Sequence, residues 1–407
     1  MKQFIGHKKS ILTSIGFLFF MVDLQGQEPT SARQLFQQQQ LARAKESIDS
    51  FVQMNNSNAE GWLLKAKICN AISQDQNLKD MVADGRMDAF QALQKAVTLN
   101  KAYVDNELKP SFSLSFDLYD GYTDDGVAYF NAGAERNDKG SYAEALSKFK
   151  KAGAVGQFIF SNGWGLTAMD TSNLFYTARA AISAGKEEEA FIAAKRIADN
   201  GITQTAVHKG FEPIYQWLAF YYKQQKDGDN LVKYTQLGMK NFPSSVYFNG
   251  ILIDWLRQQQ DYSGMFANYQ DVFKKQPNNS TYLLAYYNDI FNYLYEKKTI
   301  SADRSLYEAK LNAGLLQYIK ANPKTVDGRL LLGKFYINQA MDAAKTSQAK
   351  ERNLLLQSNK YLAEIINKFP GANKLVYKEA LELLVTNYRR LNMKKEATKY
   401  NRLLNLP

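Results

Sequence analysis

The chain has one cysteine, two histidines and eight prolines in 407 residues, and each scarcity excludes a class of protein. A single cysteine cannot form an intramolecular disulfide, so apolar burial must hold the fold together. Only one histidine, His208, lies outside the N-terminal region, which leaves His-rich and Cys–His metal sites without ligands. The sequence also has no Gly-Lys-Ser/Thr phosphate loop and no dinucleotide fingerprint. We therefore expect no catalytic site, no metal, no cofactor and no nucleic-acid partner.

The isolated cysteine and histidine both have ordinary structural interpretations. Cys69 ends the segment 62–69, whose spacing predicts an apolar helix face, so we expect a buried, inert thiol. His208 falls in a polar turn between two helical patterns, where a surface histidine is the expected outcome.

The N-terminus has the order of a secretory signal peptide. Lys2, Lys8 and Lys9 precede an apolar run at 11–22, which is followed by a short polar stretch. We expect residues 1–26 to be removed, leaving Gln27 as the first residue of an exported protein that is periplasmic or secreted. The run is too short to cross a hydrocarbon core of ~30 Å, so no transmembrane segment is predicted. No cysteine near the cleavage point could carry a lipid.

A period of 34 residues separates Pro243 from Pro277, and each proline closes two helical patterns joined by a polar turn. Leu218 precedes Leu252 by the same 34 residues. Self-similarity at this length indicates an array of helix hairpins. One such hairpin cannot bury its apolar face alone and must stack on a copy of itself.

Small and aromatic residues recur at fixed places in these hairpins. The clearest unit spans 126–157, and a second match is the run Leu332-Gly333-Lys334-Phe335-Tyr336. The matching residues of the first unit are Tyr129, Ala132, Gly133, Gly140, Tyr142, Ala145, Phe149 and Ala152. Together these residues resemble the tetratricopeptide repeat (TPR), in the form found in exported bacterial proteins. The resemblance implies an all-α, right-handed helical-hairpin solenoid of about nine helix pairs over residues 27–407.

The array departs from its period in two ways. The units that end at Pro323 and Pro370 are 46 and 47 residues long, and we expect the extra residues to lengthen helices near 297–308 and 340–351. Two stretches, 104–125 and 153–172, match no repeat and are predicted to be ordered, aromatic loops at one edge of the array.

The resemblance also implies where a partner would bind. In this family the inner, concave groove is lined by first-helix residues that are not packing positions. Carried onto this sequence, those positions are Lys223, Asp254, Arg257, Lys334, Arg389 and Arg390. Five of the six are basic, and the last quarter of the chain, 301–407, has 19 basic against 9 acidic residues. A row of cations suits an extended acidic segment or a chain-terminal carboxylate. The alternative is ordinary solvated charge.

The leading hypothesis is a non-catalytic, exported scaffold that binds another envelope protein through its concave face. Reversing Arg257 and Lys334 to Glu is then expected to abolish binding and to spare the fold. One alternative is a helical toroid enzyme that cleaves polysaccharide with carboxylates, which would be found among Asp117, Asp120, Asp124 and Asp125. The same acids could instead bind calcium or simply be solvated. A second alternative is a glycan-binding protein that uses the exposed rings of Phe158, Phe160 and Trp164.

Overall fold

The structure is a computed structural model that describes residues 29–295, 303–371 and 373–404. Within these residues the chain forms 18 α-helices, one short 3-10 helix at Lys79–Met81, and no β-strand. The all-α prediction is therefore confirmed. The predicted signal peptide and residues 297–302 of the first predicted helix extension lie outside the described residues.

The chain divides into two units, 1–209 and 210–407. The helices of unit 1 are α1 (Thr30–Gln37), α2 (Leu41–Met54), α3 (Ala59–Gln74), α4 (Gly85–Leu108), α5 (Ser113–Arg136), α6 (Lys139–Ser161), α7 (Thr171–Ala184) and α8 (Glu187–Asp199). The helices of unit 2 are α9 (Glu212–Gln224), α10 (Gly228–Asn241), α11 (Tyr247–Gln258), α12 (Tyr262–Lys275), α13 (Ser280–Tyr295), α14 (Arg304–Ala321), α15 (Asp327–Ala343), α16 (Gln348–Lys368), α17 (Lys374–Arg390) and α18 (Lys394–Leu404).

Each odd-numbered helix packs extensively against the even-numbered helix that follows it, which gives nine hairpins in the described part of the chain. The number of helix pairs is thus as predicted. The first helices also lie beside one another within each unit: α3 contacts α5 and α5 contacts α7, and in unit 2 α9 contacts α11 and α15 contacts α17. First helices of successive hairpins therefore form a common face.

Polar turn residues set the helix boundaries. Asp138, Asp170, Asp227 and Asp261 precede helices, and the carboxylate of each accepts a hydrogen bond from a backbone N–H of the first turn. Such caps satisfy amide groups that have no partner inside the helix. Gly185 ends α7 with φ of 69°, a left-handed conformation that glycine adopts without steric cost.

The small residues of the repeat lie where two helices of one hairpin approach closely. A Cβ added at Gly333 of α15 would lie 2.7 Å from Leu362 Cδ2 of α16, and one at Gly133 of α5 would lie 3.0 Å from the ring of Tyr142. Phe149 and Ala152 of the clearest unit are completely buried. The packing is that of the predicted hairpin pattern.

The stretches predicted to be loops are helical over most of their length, so the loop prediction is wrong there and holds only for 109–112 and 162–170. Residues 104–108 end α4 and 113–125 begin α5, while 153–161 end α6. The glycines that indicated loops serve packing instead: a Cβ at Gly126 would lie 2.6 Å from Phe149, and one at Gly156 would lie 3.3 Å from Tyr119. The additional residues make α5 and α6 24 and 23 residues long, against 12 for α11. Helix α4 is interrupted at Asn100, whose φ of −156° and ψ of 86° are not helical, so 104–108 belong to a short segment after this kink.

Longer helices also account for the long units before Pro323 and Pro370. Helices α13 to α16 have 16, 18, 17 and 21 residues, whereas α9 to α12 have 12 to 14. The prediction that additional residues lengthen helices holds for the described part of these units.

Candidate binding groove

Three of the six predicted binding residues meet in one ion-pair network on the first helices of unit 2. Asp254 on α11 accepts a hydrogen bond from Lys223 Nζ on α9 at 2.8 Å and another from Arg257 Nη1 at 2.7 Å. Burial acts to raise the pKa of Asp254, but the hydrogen bonds from the two cations outweigh it and hold that pKa below its usual value. The network joins two neighbouring hairpins where the repeat pattern predicted a charged face.

Asp289 on α13 completes the network, and the sequence reasoning missed it. Arg257 donates Nε to Asp289 Oδ1 at 2.8 Å and Nη2 to Oδ2 at 2.7 Å, and the Tyr269 hydroxyl donates to the same Oδ2 at 2.7 Å. The Asp289 side chain is only 5% exposed. Its hydrogen bonds are the main reason that the pKa of Arg257 is raised above its ordinary value. The sequence signal that was missed is an aspartate on the same helix face as the apolar residues Tyr286 and Ile290. A charge buried there requires a partner, so its position indicates an ion pair.

The charges of this network balance. The two cations, Lys223 and Arg257, face the two carboxylates of Asp254 and Asp289. The acidic-segment prediction depended on a row of cations without partners, and in this part of the described chain the cations are paired. An acidic ligand would have to compete with carboxylates that are already in place.

The other three predicted residues do not join this network. Lys334 Nζ of α15 contacts Glu379 Oε1 of α17 at 2.9 Å, again between neighbouring first helices. Arg390 is paired with a glutamate of α16, and Arg389 contacts an asparagine of α18. These two arginines therefore contact second helices, whereas Lys223, Arg257 and Lys334 contact neighbouring first helices. Participation of the six residues in partner binding stays a prediction.

Two adjoining cavities lie along the first helices α11, α13 and α15. The cavity between α11 and α13 has a volume of about 310 Å³ and is lined in part by Asp254 and Arg257. The cavity between α13 and α15 has a volume of about 440 Å³. Because Thr281 and Ala285 line both, the two cavities adjoin at α13, and we call them together the first-helix groove.

The first-helix groove is amphipathic. Its aromatic and aliphatic wall residues are Tyr247, Ile251, Ile253, Tyr269, Tyr282, Leu284, Ala285, Tyr318 and Leu331. Tyr282 crosses close over α11, where its hydroxyl donates to the Val246 carbonyl at 2.9 Å. Gly250 permits this approach, because a Cβ there would lie 2.5 Å from the Tyr282 oxygen. Polar groups of Ser280, Asn288 and Asp327 lie among the apolar walls.

The acids proposed for catalysis or calcium binding lie on a helix. Asp117, Asp120, Asp124 and Asp125 all belong to α5, so they do not lie in a loop as the sequence predicted. Burial and then the charges of Asp124 and Asp117 raise the pKa of Asp120. No group of three or more His, Cys, Asp or Glu side chains close enough to hold a metal ion occurs in the residues that the structure describes.

Two of the three aromatics proposed to stack on sugars belong to the core. Trp164 is 5% exposed, stacks on Phe112 with ring centroids 5.2 Å apart, and donates its indole N–H to Asp105 at 2.8 Å. Phe158 packs edge-on against Trp164, and only Phe160 is exposed. The predicted aromatic platform is therefore not formed.

The isolated histidine and cysteine have structural environments. His208 stacks on Phe175 with centroids 4.7 Å apart, and burial followed by the nearby Arg179 lowers its pKa. Cys69 is completely buried, as predicted, and burial raises its pKa to about 11. Across the described ranges, no helix combines the length and apolarity needed to span a bilayer.

No family model matches the chain, and no curated protein is significantly similar to it. Among solved structures, the TPR domain of P58(IPK) matches at 12% identity over 91% of this chain and 89% of that chain, with a TM-score of 0.25. Yeast Tom70 matches at 13% identity over 87% of this chain and 59% of that chain, with a TM-score of 0.34. A monomeric IFIT1 mutant with Gppp-AAAA matches at 16% identity over 83% of this chain and 68% of that chain, with a TM-score of 0.30. These TM-scores are too low to support a conclusion about the protein, and the fold class rests on the helices and packing described above.

Proposed function

We propose that the protein is a non-catalytic scaffold that binds an extended segment of another protein in the first-helix groove. The observation that carries this proposal is that two cavities, with volumes of about 310 and 440 Å³, adjoin along three consecutive first helices and share Thr281 and Ala285. Amphipathic grooves between helices accept peptide segments through apolar side chains, with a few polar groups fixing their orientation.

The charge balance in the groove favours an amphipathic segment over an acidic one. Lys223 and Arg257 already have carboxylate partners, so the exposed apolar walls offer more binding free energy than the paired cations. Exposed aromatic rings such as Tyr247, which is 36% exposed, are frequent anchors in protein interfaces.

We also propose that this scaffold acts in the cell envelope after export. The support is the order of basic, apolar and small residues in 1–26. Mass spectrometry of the native protein tests this step. A chain that starts at Gln27 supports export, and an intact Met1 contradicts it.

Site-specific photocrosslinking tests the groove. A photoreactive phenylalanine in place of Tyr247 should crosslink a protein from the native cells, and the same group at Leu356, which is 39% exposed on the second helix α16, should not. Thr281 lines both cavities, so Thr281→Trp should abolish the Tyr247 crosslink by filling the groove. Thr398→Trp, an exposed threonine of α18, is the matched control. Equal crosslinking at both sites, or a crosslink that survives Thr281→Trp, would refute the proposal.

A further inference from the structure

Unit 1 contains a polar cavity that the proposed function does not use. It has a volume of about 580 Å³ and lies between the end of α3, the segment that leads into α4, and helices α5 and α6. Its charged lining residues are Lys79, Asp80, Asp84, Arg86, Asp125 and Lys148, and the ring of Tyr129 also lines it. Its volume is in the range of small-molecule sites.

On one side of the cavity, both carboxylate oxygens of Asp84 already have hydrogen-bond or ion-pair partners. Asp84 Oδ1 accepts the hydroxyl of Tyr122 at 2.8 Å and the backbone N–H of Met87 at 3.1 Å, and Asp84 Oδ2 is paired with Lys151. Tyr122 is completely buried, so this carboxylate is held in place by a rigid partner. Asp84 and Lys151 therefore neutralise each other and leave little capacity for a ligand.

Lys148 is different, because its ammonium group has only a long ion pair and no hydrogen bond within the described residues. The side chain is 21% exposed, and its Nζ lies 3.9 Å from Asp125 Oδ2 and 5.9 Å from the centroid of the Tyr122 ring. Within the described residues Lys148 Nζ makes no hydrogen bond, although an ammonium carries three donors. These donors are therefore available to an anionic or polar acceptor in the cavity.

Arg86 lies beside it with unused donors. Its Nη1 is paired with Asp125, while Nε and Nη2 donate to no residue in the described part of the chain. The guanidinium lies against Gly121 of α5, where a Cβ would collide with its Nε and side-chain carbons. Glycine at that position gives the guanidinium room to lie against α5, and Arg86 lines the same cavity as Lys148.

Arg86 and Lys148 share one carboxylate, Asp125, so this side of the cavity has an excess positive charge. We propose that the cavity binds a small anionic molecule whose carboxylate or phosphate oxygens accept hydrogen bonds from Lys148 and Arg86. The volume exceeds that of a single inorganic anion, and the remaining lining is rich in amide and hydroxyl groups, among them Ser73, Gln74 and Gln76. The ligand is thus an anionic group on a polar body of about monosaccharide size, with Tyr129, which is 41% exposed, available to cover one face of it.

Isothermal titration of the full chain with glucuronate, glucose 6-phosphate and glucose tests this assignment. At least one of the two acids should bind, and whichever binds better identifies carboxylate or phosphate as the preferred anion. Glucose should bind at least about tenfold more weakly, because a charge-assisted hydrogen bond contributes more than a neutral one. The proposal would be overturned if neither acid saturated the protein at millimolar concentration, or if glucose bound as tightly as the acids.

A pair of neighbouring lysines supplies the matched variants. Lys148→Met should weaken binding of the acid by about tenfold or more, since it removes a charged hydrogen-bond donor. Lys150→Met should leave affinity unchanged, because that side chain is 57% exposed and is paired with Glu189 outside the cavity. Lys148 has one marginal ion pair, so its loss should not lower the melting temperature, which verifies that the variant folds. Unchanged affinity in Lys148→Met would contradict the proposal.

Discussion

Arg257 and Asp289 form a two-point contact between α11 and α13, with Nε–Oδ1 and Nη2–Oδ2 distances of 2.8 and 2.7 Å. The Asp289 side chain is 5% exposed and the Arg257 side chain 38% exposed, so a buried carboxylate depends on a partly exposed arginine. The sequence-based expectation that reversing Arg257 spares the fold treated this residue as an exposed charge, whereas the structure pairs it with a buried carboxylate. Arg257→Glu would place a second carboxylate against Asp289.

We expect Arg257→Leu to lower the free energy of unfolding by about 3 kcal/mol, because it leaves a buried carboxylate without its cation. The double variant Arg257→Leu/Asp289→Leu should recover much of that loss, since both charges are then removed. Urea denaturation of the two single variants and the double variant measures the coupling. Lys334→Met is the control: its pair with Glu379 is exposed on both sides and should contribute less than about 1 kcal/mol. Strict additivity of the two single changes would show that the pair is not coupled.

Gly133→Leu and Gly333→Leu should each lower stability by about 1 to 3 kcal/mol, the usual cost of overpacking a close helix contact. The reason is distance: an added Cβ would lie 3.0 Å from Tyr142 and 2.7 Å from Leu362, respectively. Gly210→Leu is the matched control, because no atom lies within 4 Å of a Cβ built there. Denaturation midpoints that fall equally at all three glycines would mean that helix packing is not the cause.

The sequence predicted the hairpins well because their determinants are local. Leu218 and Leu252, one period apart, are both buried, and the small residue Gly333 lies at the expected helix contact. Each of these features depends on spacing within one or two hairpins, which periodicity detects.

Contacts between hairpins were predicted less well, because spacing in one sequence does not show which side chains meet. The prediction placed Lys223, Asp254 and Arg257 on one face, and they do form a network, but it did not include the carboxylate of Asp289 that balances Arg257. The loop prediction failed at 153–161 for a related reason. Gly156 lies inside α6, where it allows Tyr119 of α5 to approach closely. The sequence alone does not distinguish a glycine used for packing from one used for a turn.

Cys69 should be unreactive in the folded protein. It is completely buried and burial raises its pKa to about 11, so little of the nucleophilic thiolate exists near neutral pH. We expect modification by a thiol reagent such as Ellman's reagent to be slow in buffer and complete in denaturant. Melting temperatures with and without dithiothreitol should coincide, because the described structure contains no other cysteine with which Cys69 could pair. Rapid native-state labelling would place Cys69 on the surface and contradict the packing of α3.

The pH dependence of stability should carry a contribution from Asp84. Burial acts to raise its pKa, but hydrogen bonds from Lys151, Tyr122 and the Met87 N–H hold it below its usual value. A carboxyl group whose pKa is lower in the folded state contributes stability at pH values above its unfolded pKa of about 3.9, and loses that contribution as the pH falls through the folded value. The wild-type protein should therefore exceed Asp84→Asn in unfolding free energy at pH 7, and the difference should shrink steadily below about pH 4. Asp229→Asn, an exposed aspartate in the first turn of α10, controls for general charge effects. Urea denaturation at pH 7, 5 and 3 measures the trend, and a difference that grows on acidification would reverse the sign and show that Asp84 is not stabilised as a carboxylate.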